Sequence, residues 1–596
     1  MVYKGIPVSP GIAIGKVYLY DSKEDAVSKY KIKEDQIPSE IARFEEALIK
    51  TRHELIGIQD KIAKQMGAEH AEIFNAHLLF LEDRSVIEQV IKRLEKEKYN
   101  VEYIFQQVGE KYVELFSKME DDYLKERASD IRDFTKRVLC NLLGRKKQDL
   151  SEFKEEVVVV AYDLSPSDTA LMHKELVKGF VTDIGGKTSH TAIMARSLEI
   201  PAVVGLRDIS KKVKPGDEII IDGSHGVVTL NPSKWTQSRY SIEMSKLNRL
   251  NEKLAELKDL PAETLDGYRM TVSANIELPQ DVQSVLSHGA EGIGLYRTEF
   301  FYLNRHDFPS EDEQYQAYKE VAEKIYPNPV IIRTLDLGGD KLSPQLGVSK
   351  EMNPFLGWRA IRFCLERQDV FRTQLKAILR ASAIGNIKMM YPMISSVDEV
   401  IQANKIVEEI KVSLDKNKVS YDKEIEIGVM IEIPSAAITS DIIAKHVDFF
   451  SIGTNDLIQY SIAVDRINEK VAYLYEPANP AVLRLISKVI ENAHAENIWV
   501  GMCGEMAGDL EMTLLLVGMG IDELSASSII VPEIKKVIRS SSLKDLKALS
   551  EKALKCRMSS QVRRLAGMVL RKVAPELASQ ASYSLSYSGS GNLKSL

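Results

Sequence analysis

Cysteine is scarce in this chain. The four that occur, Cys140, Cys364, Cys503 and Cys556, are far apart in sequence. That is neither a zinc-binding pattern nor a disulfide framework, and it suits a reducing cytoplasm. Long apolar runs are missing as well, so no stretch can span a bilayer. The first residues, Met1 to Gly5, lack the apolar core of a signal peptide. A cytoplasmic protein with no stable membrane insertion is expected. Surplus positive charge is also absent. Lys+Arg 79 against Asp+Glu 86 leaves a net charge of -7. With no polybasic run, general binding to nucleic acid or to a membrane surface is not expected. Hydrophobic residues at 44% and charged residues at 28% exclude a disordered or fibrous chain. A length of 596 residues allows several compact domains.

Proline is absent from Ser39 to Ser165, as a helical bundle requires. From about Gln36, the residues Ile37, Ile41, Phe44, Leu48, Leu55, Ile58 and Ile62 recur at steps of three, four and seven, which is one face of a long helix. Further helices are predicted over 70–97, 100–118 and 120–143. On both sides of this segment the period is that of strands: Ile6–Val8 and Ile12–Tyr20 before it, Val157–Val160 and Ile219–Ile221 after it. The period changes predict an α/β subdomain made of 1–21 and 145–230, with a helical subdomain 22–144 inserted into it. Composition alone also allows two consecutive domains. A connector helix is predicted over 231–260. Beyond Asp266, short apolar strands alternate with helices: Thr271–Ile276, Gly292–Tyr296, Val330–Leu335, Lys388–Tyr391, Gly428–Ile433, Phe449–Ile452 and Trp499–Met502. This alternation predicts a (β/α)8 barrel over 261–573. A Ser-rich tail is taken as 574–596, and its stretch Ser579–Leu596 is read as disordered.

Two places are rich in chemistry. The first is Gly185-Gly186-Lys187-Thr188-Ser189-His190-Thr191. The glycines free the backbone for a tight turn, and Thr188 or Ser189 can cap a helix beginning near His190. His190 then sits where free N–H groups and the positive helix end converge, a location suited to phosphate or to a phosphorylated imidazole. A neutral imidazole is a competent nucleophile. A plain helix-capping role stays open at this point. A nucleotide phosphate loop is disfavoured, because the first glycine of that motif is missing. His70 and His77 share a helix face but have no third ligand nearby, so a metal site there is not expected.

The second place is the predicted C-terminal rim of the barrel, where functional residues of such barrels gather. Asn275, Arg297, Arg333, Glu432, Asn455, Asp456 and Cys503 all fall at strand ends, with Asp465 and Arg466 slightly beyond. The three arginines suit phosphate and carboxylate groups. Glu432 and Asp456 are hard carboxylates suited to one Mg²⁺. Cys503 can transfer a proton. Together they describe a site for a small, multiply anionic, metal-chelating substrate. Phe300, Phe301 and Tyr302 are expected to pack beneath the rim, and Cys140, Cys364 and Cys556 to lie in the core.

Long motifs carry a family resemblance. GGKTSHTAIMARSL at Gly185–Leu198 resembles the phosphohistidine signature of phosphoenolpyruvate-utilising enzymes. The stretch from Asp448 to Ile486, which contains SIGTNDLIQYS, is similar to their second signature. GLYRTEFF (from Gly294), RTLDLGGDK (from Arg333), NPFLGWRAIR (from Asn353) and GMCGEMAG (from Gly501) match as well. The resemblance covers about Gly5 to Val573 and is strongest to the enzyme I branch, which feeds the bacterial sugar phosphotransferase system.

The resemblance implies that His190 accepts the phosphoryl group of phosphoenolpyruvate on Nε2, oriented by the Thr169 hydroxyl. It implies substrate contacts from Arg297, Arg333, Arg466, Asn455 and the Asp456 main chain, Mg²⁺ ligands Glu432 and Asp456, and Cys503 as the acid that makes pyruvate. It further implies a small phosphocarrier protein, similar to HPr, docking on the inserted helices. A homodimer through the barrel domain is implied too. A dikinase shares both signatures but needs an ATP-binding domain, for which the chain is expected to be too short. A non-catalytic sensor of phosphoenolpyruvate need not keep His190, Cys503 and both carboxylates.

Overall fold

The computed structural model describes residues 1–20, 27–66, 81, 84–117, 122–144, 153, 155–164, 168, 172, 176–186, 191–192, 195, 200–302, 307–338, 351–466, 468 and 470–578. His190, Thr169, Thr188, Ser189, His70, His77 and the tail from 579 lie outside them. Two compact units are present, Met1–Asn248 and a second beginning at Arg249, and the division falls within the connector helix Lys234–Ala255.

The first unit carries an eight-stranded sheet. Its strands are β1 (Val2–Lys4), β2 (Ile6–Ser9), β3 (Ile12–Tyr20), β4 (Val157–Ala161), β5 (Val177–Thr182), β6 (Ala202–Val204), β7 (Glu218–Asp222) and β8 (Val227–Leu230), in the order β1-β8-β7-β3-β4-β5-β6-β2. Parallel pairing of β3 with β4 sets Val17 opposite Val158, although the whole helical segment separates them in sequence. The unbroken valine run of β4 follows from burial on both faces. Val159 and Ala161 join a core with Phe180 and Ala192, while Val158 and Val160 join another with Val181 and Ile221.

Among the described residues between β3 and β4 are the helices Ile37–Met66, Arg84–Glu97, Val101–Ser117 and Asp122–Leu142. Their periodic apolar faces meet in a core of Phe44, Leu48, Leu55, Val90, Leu94, Phe105, Phe134 and Val138. The sheet with its inserted helices is the first half of the expected fold class.

The second unit supplies the other half, a closed parallel barrel. After the short β9 (Ala262–Glu263) come β10 (Arg269–Ile276), β11 (Ile293–Tyr296), β12 (Val330–Arg333), β13 (Ile387–Tyr391), β14 (Ile427–Ile431), β15 (Phe449–Ile452), β16 (Trp499–Met502) and β17 (Glu523–Ala526). Each of β10–β17 runs parallel to the next, and β10 pairs with both β11 and β17 to close the ring. Phe449–Ile452 and Trp499–Met502 coincide with the predicted strands, and the other five shift by one or two residues at their ends. The eighth, β17, has no apolar pattern to announce it, because Glu-Leu-Ser-Ala offers a single large apolar residue. It belongs in the ring because its polar side chains have partners: Ser273 donates to Glu523 at 2.5 Å and Ser525 donates to Asn275 at 2.6 Å.

Inside the barrel, Leu295, Ile331, Met390, Met430, Phe449 and Cys503 form a small core of their own. Phe449 stacks on Trp499 with centroids 4.5 Å apart. Gly428 makes room for that ring, since a Cβ there would lie 2.5 Å from it. A larger core lies between the strands and the surrounding helices. It includes Tyr302 and, beneath β11, the edge-on packing of Tyr296, Phe301 and Tyr318. Cys364 is buried there as expected, whereas Cys140 and Cys556 are only half-buried. Each of these two sits near a helix end, where the apolar stripe runs out towards solvent. Among the described residues, no helix is long and apolar enough to cross a membrane.

Candidate active site

Each strand end delivers its side chain to the same rim because all eight strands run in one direction. Arg333 closes β12 and is buried. Its Nη2 donates to Glu299 Oε1 at 2.8 Å and its Nη1 pairs with Asp336 Oδ2 at 2.9 Å. Arg359 reaches the other oxygen of Asp336, with Nη2 at 2.7 Å and Nε at 3.2 Å. Charge therefore alternates along Glu299, Arg333, Asp336 and Arg359. Burial opposes the charge of Arg333, but Glu299 and Asp336 outweigh it and hold the guanidinium above its ordinary range. Among the described residues its buried Nε has no hydrogen-bond partner.

Glu432 follows β14 and is almost wholly buried. Its Oε1 accepts from the Met393 amide at 2.6 Å. Burial, then Asp456 and Asp336, push its carboxyl well above the usual carboxylate range, against the pull of Arg333. Asp456 lies in the first turn of the helix Thr454–Ile462. Burial raises it too, and Arg359 opposes the rise. Gly453 separates β15 from that helix. A Cβ there would sit 2.6 Å from Glu432 Oε2, so glycine keeps that side of the carboxylate open.

Cys503 follows β16 and is buried. Ser451 donates to its sulfur at 3.2 Å. Burial pushes the thiol up to about 11, with Ser451 and Arg333 pulling it back. Asn275 donates to the Cys503 carbonyl at 3.0 Å, so this residue braces the turn from below.

The remaining groups are more exposed. Arg297 donates to Glu277 at 2.6 Å. Arg466 donates to Glu505 Oε1 at 3.0 Å, and Asn455 donates to the same oxygen at 3.3 Å.

Arg333, Glu432, Asp456 and Cys503 thus share one electrostatic environment, with Arg297 and Arg466 at its edge. The two nearby carboxyls, both raised by burial with Asp456 adding to the rise at Glu432, fit a divalent cation, which would remove their repulsion. Among the described residues no cluster of three or more acidic, His or Cys side chains forms a set of metal ligands. His190 and Thr169 lie outside the described residues. Next to them, Thr191 donates to the Leu164 carbonyl at 2.8 Å and Tyr20 donates to Asp168 at 2.8 Å. Sequence reasoning passed over Glu299, Asp336, Arg359, Ser451 and Glu505. All five stand inside the quoted motifs, Ser451 as the first residue of SIGTNDLIQYS, so charged and hydroxyl residues within those motifs were the available signal.

Comparison with known proteins places this arrangement in a class. Three family descriptions match: PEP-utilising enzyme, N-terminal, over residues 4–127; PEP-utilising enzyme, mobile domain, over 153–226; and PEP-utilising enzyme, PEP-binding domain, over 251–543. The phosphoenolpyruvate-protein phosphotransferase of Priestia megaterium is 48% identical over 91% of this chain and 94% of its own length. That of Bacillus sp. (strain S) is 50% identical over 88% of this chain and 90% of its own. An NMR solution structure of Enzyme I is 47% identical, covering 41% of this chain and 99% of its own at a TM-score of 0.37. The chain belongs to the PEP-utilising enzymes and, within them, to the phosphoenolpyruvate-protein phosphotransferases.

Proposed function

We propose that this enzyme transfers the phosphoryl group of phosphoenolpyruvate to its own His190 and then to a histidine of a small HPr-like phosphocarrier protein, as the first step of a sugar phosphotransferase system in the cytoplasm. The observation that carries the reading is the convergence of Arg333, Arg359, Glu432, Asp456 and Cys503 at one end of the barrel. Such a set suits one substrate with a phosphate, a carboxylate and an enol oxygen.

Arg297, Arg333 and Arg359 bind the phosphate. The Nε of Arg333, which has no partner among the described residues, is available to it. Arg466, Asn455 and the Asp456 main chain hold the carboxylate. Glu432 and Asp456 would hold Mg²⁺, which when bound offsets negative charge on the transferring group. His190 Nε2, oriented by Thr169, attacks phosphorus in line. The bond from phosphorus to the enol oxygen breaks as the bond to nitrogen forms. Cys503 gives its proton to C3 of the enolate, and pyruvate leaves. A thiol held well above neutral pH keeps that proton until a strong carbon base appears.

The nucleophile and the substrate site lie in different compact units, so the 231–260 connector has to permit a rigid-body exchange of partners. In this reading 1–21 with 145–230 is the phosphohistidine subdomain, 22–144 docks the carrier, and 261–573 binds substrate and forms the homodimer. Exposed apolar side chains on the barrel unit, among them Met352, Leu356 and Tyr473, are in keeping with a subunit contact.

Mass-spectrometric mapping after incubation with phosphoenolpyruvate tests the reading. Phosphate is expected on His190, to be lost on adding carrier. Acid-labile phosphate on a histidine of His190→Ala would overturn it.

A further inference from the structure

Glu505 is a charged group at the rim whose side chain is 73% exposed, yet it has two hydrogen-bond partners. One of its oxygens, Oε1, accepts from Arg466 Nη1 at 3.0 Å and from Asn455 Nδ2 at 3.3 Å. These are the two side chains assigned above to the substrate carboxylate. A carboxylate of the protein therefore occupies the hydrogen-bonding positions that a ligand carboxylate needs.

The partners of Arg333 offer a contrast. Asp336 is buried and held by two guanidiniums, and Glu299 has only 14% of its side chain exposed, so they are permanent parts of the site. Glu505 reaches Arg466 through one nitrogen and one oxygen, in contact with water. An exposed ion pair of that kind is weak and easily exchanged. The backbone serves a different purpose. The Glu505 amide donates to Asn455 Oδ1 at 2.9 Å and fixes which way the Asn455 amide points. If the side chain leaves, Nδ2 stays aimed at the vacated position.

We infer that Glu505 is an affinity-setting residue: its carboxylate is an internal stand-in for the substrate carboxylate and is displaced when phosphoenolpyruvate binds. This rests on the reading of Asn455 and Arg466 given above. A tethered competitor weakens binding of every carboxylate ligand at this subsite, and removing it strengthens binding by as much as an exposed ion pair contributes. For that contribution the gain is about two- to fivefold.

Calorimetric titration of the full-length His190→Ala enzyme with phosphoenolpyruvate and Mg²⁺ measures binding without turnover. Adding Glu505→Gln should tighten binding by about two- to fivefold. Glu505→Asp keeps the charge but falls short of Arg466, and it should tighten binding as well. Tightening in Glu505→Gln alone would mean that only the local field matters, and no tightening in either would make Glu505 a mere scaffold; both results overturn the inference. Arg466→Ala in the same background separates the two layers. If it binds as tightly as its parent, the assignment of the carboxylate subsite fails. If it binds more weakly while both Glu505 variants stay unchanged, the assignment stands and only the stand-in fails.

Discussion

Ser451 donates its hydroxyl to the sulfur of Cys503 across 3.2 Å, with both residues buried where β15 and β16 meet the barrel rim. A donor aimed at sulfur stabilises thiolate over thiol, so it eases release of the proton that burial otherwise holds in place. Ser451→Ala should push the Cys503 thiol up by roughly a further pH unit. Iodoacetamide labelling of Cys503 at pH 9, followed by mass spectrometry, should then slow by roughly tenfold. Equal labelling in both proteins would show that the hydroxyl does not tune the sulfur.

Glu432 and Asp456 carry the metal prediction. Glu432→Gln keeps the shape and the Met393 hydrogen bond but removes one charge from the pair. Mn²⁺ binding, read by electron paramagnetic resonance, should weaken by roughly tenfold or more, and Asp456→Asn should behave alike. Undiminished binding in either variant would place the cation elsewhere.

Glu533 predicts a pH dependence of stability. It lies in the first turn of the helix Val531–Arg539, and burial pushes its carboxyl up to about 7. An unfolded glutamate ionises near ~4.3. Between these values the folded chain retains a proton that the unfolded chain has lost, so this group's contribution falls as pH rises through that window and stays lower above it. Glu533→Gln should remove the slope and stabilise the barrel at pH 8 by on the order of 1–3 kcal/mol. Urea titrations at pH 5 and pH 8 check the sign.

Gly428 predicts a packing defect. A Cβ at this position meets three atoms of the Phe449 ring at 2.5–2.6 Å, and stacking on Trp499 denies the ring an easy retreat. Gly428→Ala should destabilise the barrel by about 1–3 kcal/mol, visible as an earlier urea transition. Phe449→Leu in the same chain should restore part of the loss, because the obstructing ring is gone.

Strong periodic signals made much of the fold legible. The helical face from Ile37 onward, the Val157–Val160 run and seven of the eight barrel strands could be read locally, since each owes its form to apolar residues at a fixed step. The eighth, Glu523–Ala526, could not. Its place in the ring depends on Ser273 and Asn275, about 250 residues earlier in the chain.

The rim residues named from sequence, Arg297, Arg333, Glu432, Asn455, Asp456, Arg466 and Cys503, were legible as strand-end chemistry and through motif resemblance. Their pairings were not. Glu299 with Arg333, Asp336 with Arg359, Ser451 with Cys503, and Glu505 with Arg466 each join side chains 23 to 52 residues apart, whereas Arg333 with Asp336 is a local pair. Sequence alone determined which chemical groups this protein possesses and at which strand ends they stand, because those are properties of a local segment. Only the tertiary structure decided which carboxylate neutralises which guanidinium and which of those contacts water can reach. Such pairing is set by the closure of the barrel, and by the burial that closure imposes on groups remote from one another along the chain.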